Sequence, residues 1–247
     1  MGACSRFISG KSHVWTYNTG DEISAFLLYC RQSLFPIFLN GDEIPLPGFF
    51  SRFLRKIHIH SVSGLANDTD LLESGMKKRG YNPADCIDYD LMTLDRAPDS
   101  FPGGPVDLTF RKPTEADRND LFILQSAYER EEVVPQGGYF DPDNCNKLLT
   151  RLLACEQMLV ACMGDLIVGK INTNATSYTR YQIGGVYVRP EFRGLGIAVK
   201  MSAFFLKQLM AEGRGITLFV KKRNAAARSV YKKLGFTSRG DYQIIYY

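Results

Sequence analysis

Residues 186–198 read Val-Tyr-Val-Arg-Pro-Glu-Phe-Arg-Gly-Leu-Gly-Ile-Ala, which puts a buried strand, a turn and a helix start in immediate succession. Such a turn makes an anion site. The first backbone N–H groups of a helix lack partners and carry partial positive charge, so they suit a diphosphate. Glycines at 194 and 196 let phosphate oxygens reach those groups with no Cβ in the way, and Arg193 can add a charge-assisted bond. By itself the string is more often a helix-capping turn. A second element follows, where Val220 to Asn224 closes a strand and opens a helix carrying Ala227, Tyr231, Gly235 and Phe236. Tyr231 lies two turns after Asn224, so both can face one side of that helix. Taken singly, Asn224 also reads as an N-cap and Tyr231 as a core aromatic. Upstream, Gly184-Gly185 inside a strand marks a bulge or a close backbone approach.

Together these segments resemble the GNAT superfamily of N-acetyltransferases. Residues 193–198 match its Gln/Arg-x-x-Gly-x-Gly/Ala signature, and residues 224–236 match its Asn-x-x-Ala-x-x-x-Tyr…Gly-Phe signature. The resemblance covers residues 107–247. It implies a mixed central sheet flanked by helices and the use of acetyl-CoA as co-substrate, without a metal. By the same resemblance Arg193, Gly194, Gly196 and Ala198 would hold the CoA pyrophosphate, with Leu195 and Ile197 supplying backbone groups. Val186 and Val188, on the strand before the turn, would complete the cofactor site, and Asn224 would bond the pantetheine arm. Tyr231 would protonate the leaving thiolate, a step open to a phenol near pKa ~10 facing a thiol near ~8.5. The bulged strand would lie at the thioester, where a freed N–H polarises its carbonyl.

The acceptor side is less legible. Some family members carry a glutamate on the strand before the turn, but residues 181–187 read Tyr-Gln-Ile-Gly-Gly-Val-Tyr, without an acid. Glu131 and Glu132, after the first helix of this region, are candidates to bind a cationic amine or take its proton, and a solvated acidic helix end is the plainer reading. Tyr187 and Gln182 are weaker candidates. His13, His58 and His60 all precede residue 96, so a Ser-His or Cys-His acyltransferase would have to be built across domains. Lys221, Lys222, Arg223, Arg228, Lys232 and Lys233 form a basic cluster suited to the 3′-phosphate of CoA.

Composition bounds the rest. The 247 residues are 45% hydrophobic and 23% charged with a net charge of +4, ordinary for a soluble globular protein and too mildly basic for a dedicated nucleic-acid binder. The six cysteines show no C-x-x-C spacing, so neither a zinc site nor a disulfide framework is expected, and a reducing cytoplasm fits. No stretch approaches the roughly 18 apolar residues of a membrane helix. Gly2 lacks the Ser or Thr that a myristoylation motif wants at position 6, where Arg6 stands. No membrane or nucleic-acid partner is expected; an amine substrate, small molecule or peptide, and a homodimer are.

The proline- and glycine-rich stretch Arg96 to Pro105 divides the chain. The expected organisation is a small α/β domain over residues 1–95, a linker over 96–106 and an acetyltransferase domain over 107–247, of α/β (α+β) class. In the second domain the patterns predict a strand at 107–111 and a helix at 114–130 with a capping box between Thr114 and Asp117. A helix at 144–155, a hairpin across Gly164-Asp165 and a strand at 182–188 follow. A helix at 194–211, a strand at 216–220, a helix at 224–234 and a terminal strand complete it. In the first they predict a helix at 23–31, a strand at 57–62, a helix at 68–79 and a strand at 89–94. Its closing order of helix, Gly80-Tyr81 and strand echoes helix, Gly235-Phe236 and strand, which suggests a degenerate partial copy without a second CoA site. The expected function is direct acetyl transfer from acetyl-CoA to a primary amine; a non-catalytic acyl-CoA-binding regulatory module is the alternative.

Overall fold

The computed structural model describes residues 3–9, 12–39, 54, 57–96, 107–134 and 137–247. Almost all of the expected linker, and the Gly2 and Arg6 side chains, lie outside the described residues. The chain forms two compact units. The first takes residues 1–90, 221–223 and 240–247, and the second takes residues 91–220 and 224–239.

In the first unit, β1 (Ala3–Ser9), β2 (Ser12–Thr19), β3 (Glu22–Cys30) and β4 (Ser33–Phe38) form an antiparallel meander. The meander replaces the helix expected at 23–31. That run of apolar residues suits either element, and the turns decide: Gly20 before it and Arg31-Gln32 after it take positive φ, closing two hairpins. β5 (Ser61–Leu65) starts later than the expected strand and runs parallel to β4. α1 (Ala66–Lys77) follows, then β6 (Asp85–Leu94). Residues 242–246, from the end of the chain, pair antiparallel with β5. Trp15, Leu27, Leu34, Val62, Leu72, Met76 and Ile245 form this unit's core.

In the second unit, β7 (Thr109–Arg111), β8 (Met158–Met163), β9 (Leu166–Thr176) and β10 (Arg180–Val188) are antiparallel neighbours. β11 (Gly215–Lys221) lies parallel to β10, and the last residues of β6 lie on its other side, where Thr217 Oγ1 donates to Met92 O. Both faces are covered, so β8 reads as a continuous apolar run. Val160 and Cys162 pack with α2 (Arg118–Tyr128) and α3 (Pro142–Cys155). Leu159 and Ala161 pack with α4 (Ile197–Met210) and α5 (Ala225–Lys233). β12 (Thr237–Tyr246) closes the chain, its first residues in this unit and the remainder in the other. Among the described residues no helix is long and apolar enough to cross a membrane.

The echo between the two halves extends to hydrogen bonds. After α1, Tyr81 N donates to Met76 O and Gly80 N to Lys77 O; after α5, Phe236 N donates to Tyr231 O and Gly235 N to Lys232 O. Both are the same helix-ending motif, and a strand follows each. The first unit has Met76 where the second has Tyr231. It therefore offers no hydroxyl at that position.

The turn into α2 is the expected capping box, built on a short 3-10 turn (Glu115–Asp117). Asp117 accepts from Thr114 N and Oγ1 and, bidentately at 2.7 Å, from Arg111. Those bonds, Arg111 first, hold its carboxyl well below the usual carboxylate range. A depressed folded pKa contributes stability above the unfolded value near ~3.9 and loses it as pH falls through the folded one. Asp117→Asn is therefore expected to lose about 1–2 kcal/mol in urea unfolding at neutral pH. The difference from wild type should shrink below about pH 4.

Candidate active site

The strand–turn–helix segment folds as its sequence predicts. Arg189 to Arg193 make a 3-10 turn over Pro190–Phe192, and α4 begins after Gly196. Gly194 and Gly196 take φ of +81° and +76°, and open space surrounds the position of a Cβ on each. The glycines are thus needed for the backbone path as well as for access. No side chain caps α4, so its first N–H groups face outward unsatisfied.

Beside this turn lies a cavity of about 430 Å³. Val186, Val188, Arg193, Gly194, Gly196, Ile197 and Ala198 line one side, and Asn224 and Tyr231 the other, with Glu131 and Glu132 at its edge. Leu195 is half-exposed and outside the lining. The sequence does not single out Phe192, Ser229 or Val230, which also line it, as does Lys233 of the basic cluster.

Asn224 is the N-cap of α5: its Oδ1 accepts from Ala227 N at 2.9 Å, while its Nδ2 donates to Glu132 Oε1 at 2.9 Å. Glu131 forms a two-pronged ion pair with Arg193 at 2.8 and 2.9 Å. Arg193 also donates to Val188 O and stands over the Tyr187 ring. Both acids sit on a π-helical turn, Glu129–Val133, that continues α2, a distortion common at functional sites. The two carboxylates expected on the acceptor side thus contact residues expected to bind the cofactor.

Tyr231 projects from α5 with its ring edge-on to Phe236. Burial first, then the nearby Tyr128 and Glu132, pushes its hydroxyl far above the ordinary phenol value, so it stays protonated. Tyr128, at the end of α2, is a second buried hydroxyl that the sequence did not announce. Burial and Glu132 push it up to about 12, against a hydrogen bond from the Gly185 backbone.

Gly184-Gly185 is a bulge. Gly184 pairs with Asn172 and Tyr187 with Lys170, leaving two residues of β10 opposite one of β9. Gly185 has φ +60°, and a Cβ there would stand 2.1 Å from Asn172 Oδ1 and 2.9 Å from Lys170 Nζ. On the other side, β10 pairs with β11 only from Arg180 to Gln182. Beyond that point the two strands part, and the cavity opens beside β10 at Val186.

Comparison with known proteins identifies relatives of the fold. The model of the FR47-like protein family matches residues 168–245. No curated protein matches in sequence. Solved structures do match in fold. A Drosophila melanogaster structural-genomics protein is 14% identical, with TM-score 0.69 over 96% of this chain and 79% of its own. A GCN5-related N-acetyltransferase from Sphaerobacter thermophilus is 21% identical, with TM-score 0.66 over 95% and 79%. A tandem GNAT protein from the clavulanic acid biosynthesis pathway is 13% identical, with TM-score 0.59 over 97% and 84%. The chain shares the fold of these GNAT N-acetyltransferases, and its motif-bearing residues 168–245 match the FR47-like family model.

Proposed function

We propose that the second unit transfers an acetyl group from acetyl-CoA directly to a primary amine, through a ternary complex and without a covalent enzyme intermediate. The observation that carries this reading is one cavity that joins three features: the uncapped α4 N-terminus, the bulge where β10 leaves β11, and the buried Tyr231 hydroxyl. The donor set suits a diphosphate, since backbone N–H groups at a helix start bind anions without a metal. Arg193, Gly194, Gly196 and Ala198 hold the pyrophosphate in this reading, with Leu195 and Ile197 giving backbone groups. Val186, Val188 and Asn224 flank the arm that carries the thioester.

The amine nitrogen attacks the thioester carbonyl carbon, the C–S bond breaks, and the products are an acetamide and the free thiol. In this reading Tyr231, protonated at neutral pH, gives its proton to the departing sulfur and recovers one from solvent. The attacking amine must shed a proton. Of the two acids, Glu131 is committed to both prongs of Arg193, while Glu132 stands near both Tyr128 and Tyr231. Glu132 is the proposed acceptor of that proton, directly or through water, and Glu131 a clamp on Arg193.

The direct assay mixes the protein with acetyl-CoA and a panel of primary amines and measures released thiol. Tyr231→Phe should lower kcat by about 10²-fold with little change in CoA affinity. A regulatory CoA-binding module would bind CoA yet release no thiol with any amine. Glu132→Gln should lower kcat by a similar factor, the deficit easing as rising pH supplies neutral amine from solution. An equal loss at every pH would remove Glu132 from the proton path.

A further inference from the structure

Lys170, on β9, is fully buried, which is rare for a lysine. Its Nζ donates to Gly185 O at 3.0 Å and lies 3.3 Å from Asn172 Oδ1 and 5.1 Å from the centre of the Tyr128 ring. The groups facing it are Tyr128 from α2, Glu129 from the π-helical turn and Cys145 from α3. The acetyl-transfer steps above leave this amine unused.

Its effect follows from the peptide it holds. A trans peptide keeps its C=O and N–H antiparallel, and the described chain contains no cis bond. With Gly185 O drawn toward Lys170, the N–H of the same peptide, that of Val186, points the opposite way. Val186 falls inside the bulge, without a register partner in β9, and past the end of the β10–β11 pairing. It lines the cavity. Gly185's own N–H is taken by the Tyr128 hydroxyl. Both polar groups of Gly185 are therefore anchored away from the cavity, which fixes the tilt of the next peptide.

We propose that Lys170 is the positioning residue of the thioester site: its amine holds the Gly185–Val186 peptide so that the Val186 N–H faces the cavity and donates to the carbonyl of a bound acyl thioester. The proposal rests on the acetyl-CoA reading and adds a device to it. An ammonium polarises the peptide it bonds more than an amine does, so the donor strengthens when Lys170 is charged. Burial pushes Lys170 down to about 7, with Glu129 opposing, so its charge changes within the working range.

The test uses [1-13C]acetyl-CoA bound to the whole protein in the Tyr231→Phe background, which holds the thioester intact. The carbonyl resonance should move downfield on binding, further at about pH 6 than at about pH 8. Lys170→Met, close in volume, should abolish that displacement while the CoA Kd stays within about threefold. In the otherwise wild-type protein it should lower kcat at least about tenfold. Lys170→Gln, which keeps an N–H donor, should retain part of the displacement and lose its pH dependence. An undisplaced carbonyl in the Tyr231→Phe protein, or an unchanged displacement with Met at 170, overturns the proposal while amine turnover leaves the transfer reading standing. Absence of CoA binding overturns both.

Discussion

A sheet strand with neighbours on both sides normally spends its backbone groups on them, and β10 stops doing so halfway along. Its pairing with β11 ends at Gln182, and its pairing with β9 skips a residue at Gly185-Val186. A buried strand with loosened ladders is costly unless its polar groups find other partners. Here Tyr128 and Lys170 provide them at Gly185. The break leaves Val186 lining the cavity. The glycine pair is the sequence's provision for it, because a Cβ at 185 would collide with Asn172.

Three other elements of the second unit border that opening. α4 places its uncapped N-terminus at one end of the cavity, and α5, started by Asn224 and ended by the turn at Gly235-Phe236, sets Tyr231 beside it. The π-helical turn brings Glu131 and Glu132 onto Arg193 and Asn224. These carboxylates hold the cationic and amide groups in place. An arriving diphosphate would compete with Glu131 for Arg193, since carboxylate and phosphate oxygens both accept from the same guanidinium N–H groups. The first unit repeats the helix-ending motif with Met76 in place of Tyr231. It lacks a hydroxyl at that position.

The parts legible in sequence are those encoded over a few residues. Left-handed turns need glycine at 194 and 196, a helix start wants Asn224, and a bulge wants Gly184-Gly185. Thr114 and Asp117 announced their capping box in the same way. What escaped depends on long-range assembly. Lys170 sits among residues from 128, 145 and 185, and a lysine in a strand reads as a solvent-facing residue until both faces are covered. Tyr128 looked like an ordinary helical aromatic. β3 was misread because the turn after it uses Arg31 and Gln32 at positive φ, where Gly or Asn would have signalled a hairpin.

The most direct measurement is a crystal structure of the protein with a non-hydrolysable acetyl-CoA analogue. The diphosphate should lie on the backbone N–H groups at the start of α4, the acyl carbonyl within hydrogen-bond reach of Val186 N, and the sulfur beside the Tyr231 hydroxyl. A ligand bound elsewhere, or one whose acyl end lies away from the β10 bulge, would contradict this placement.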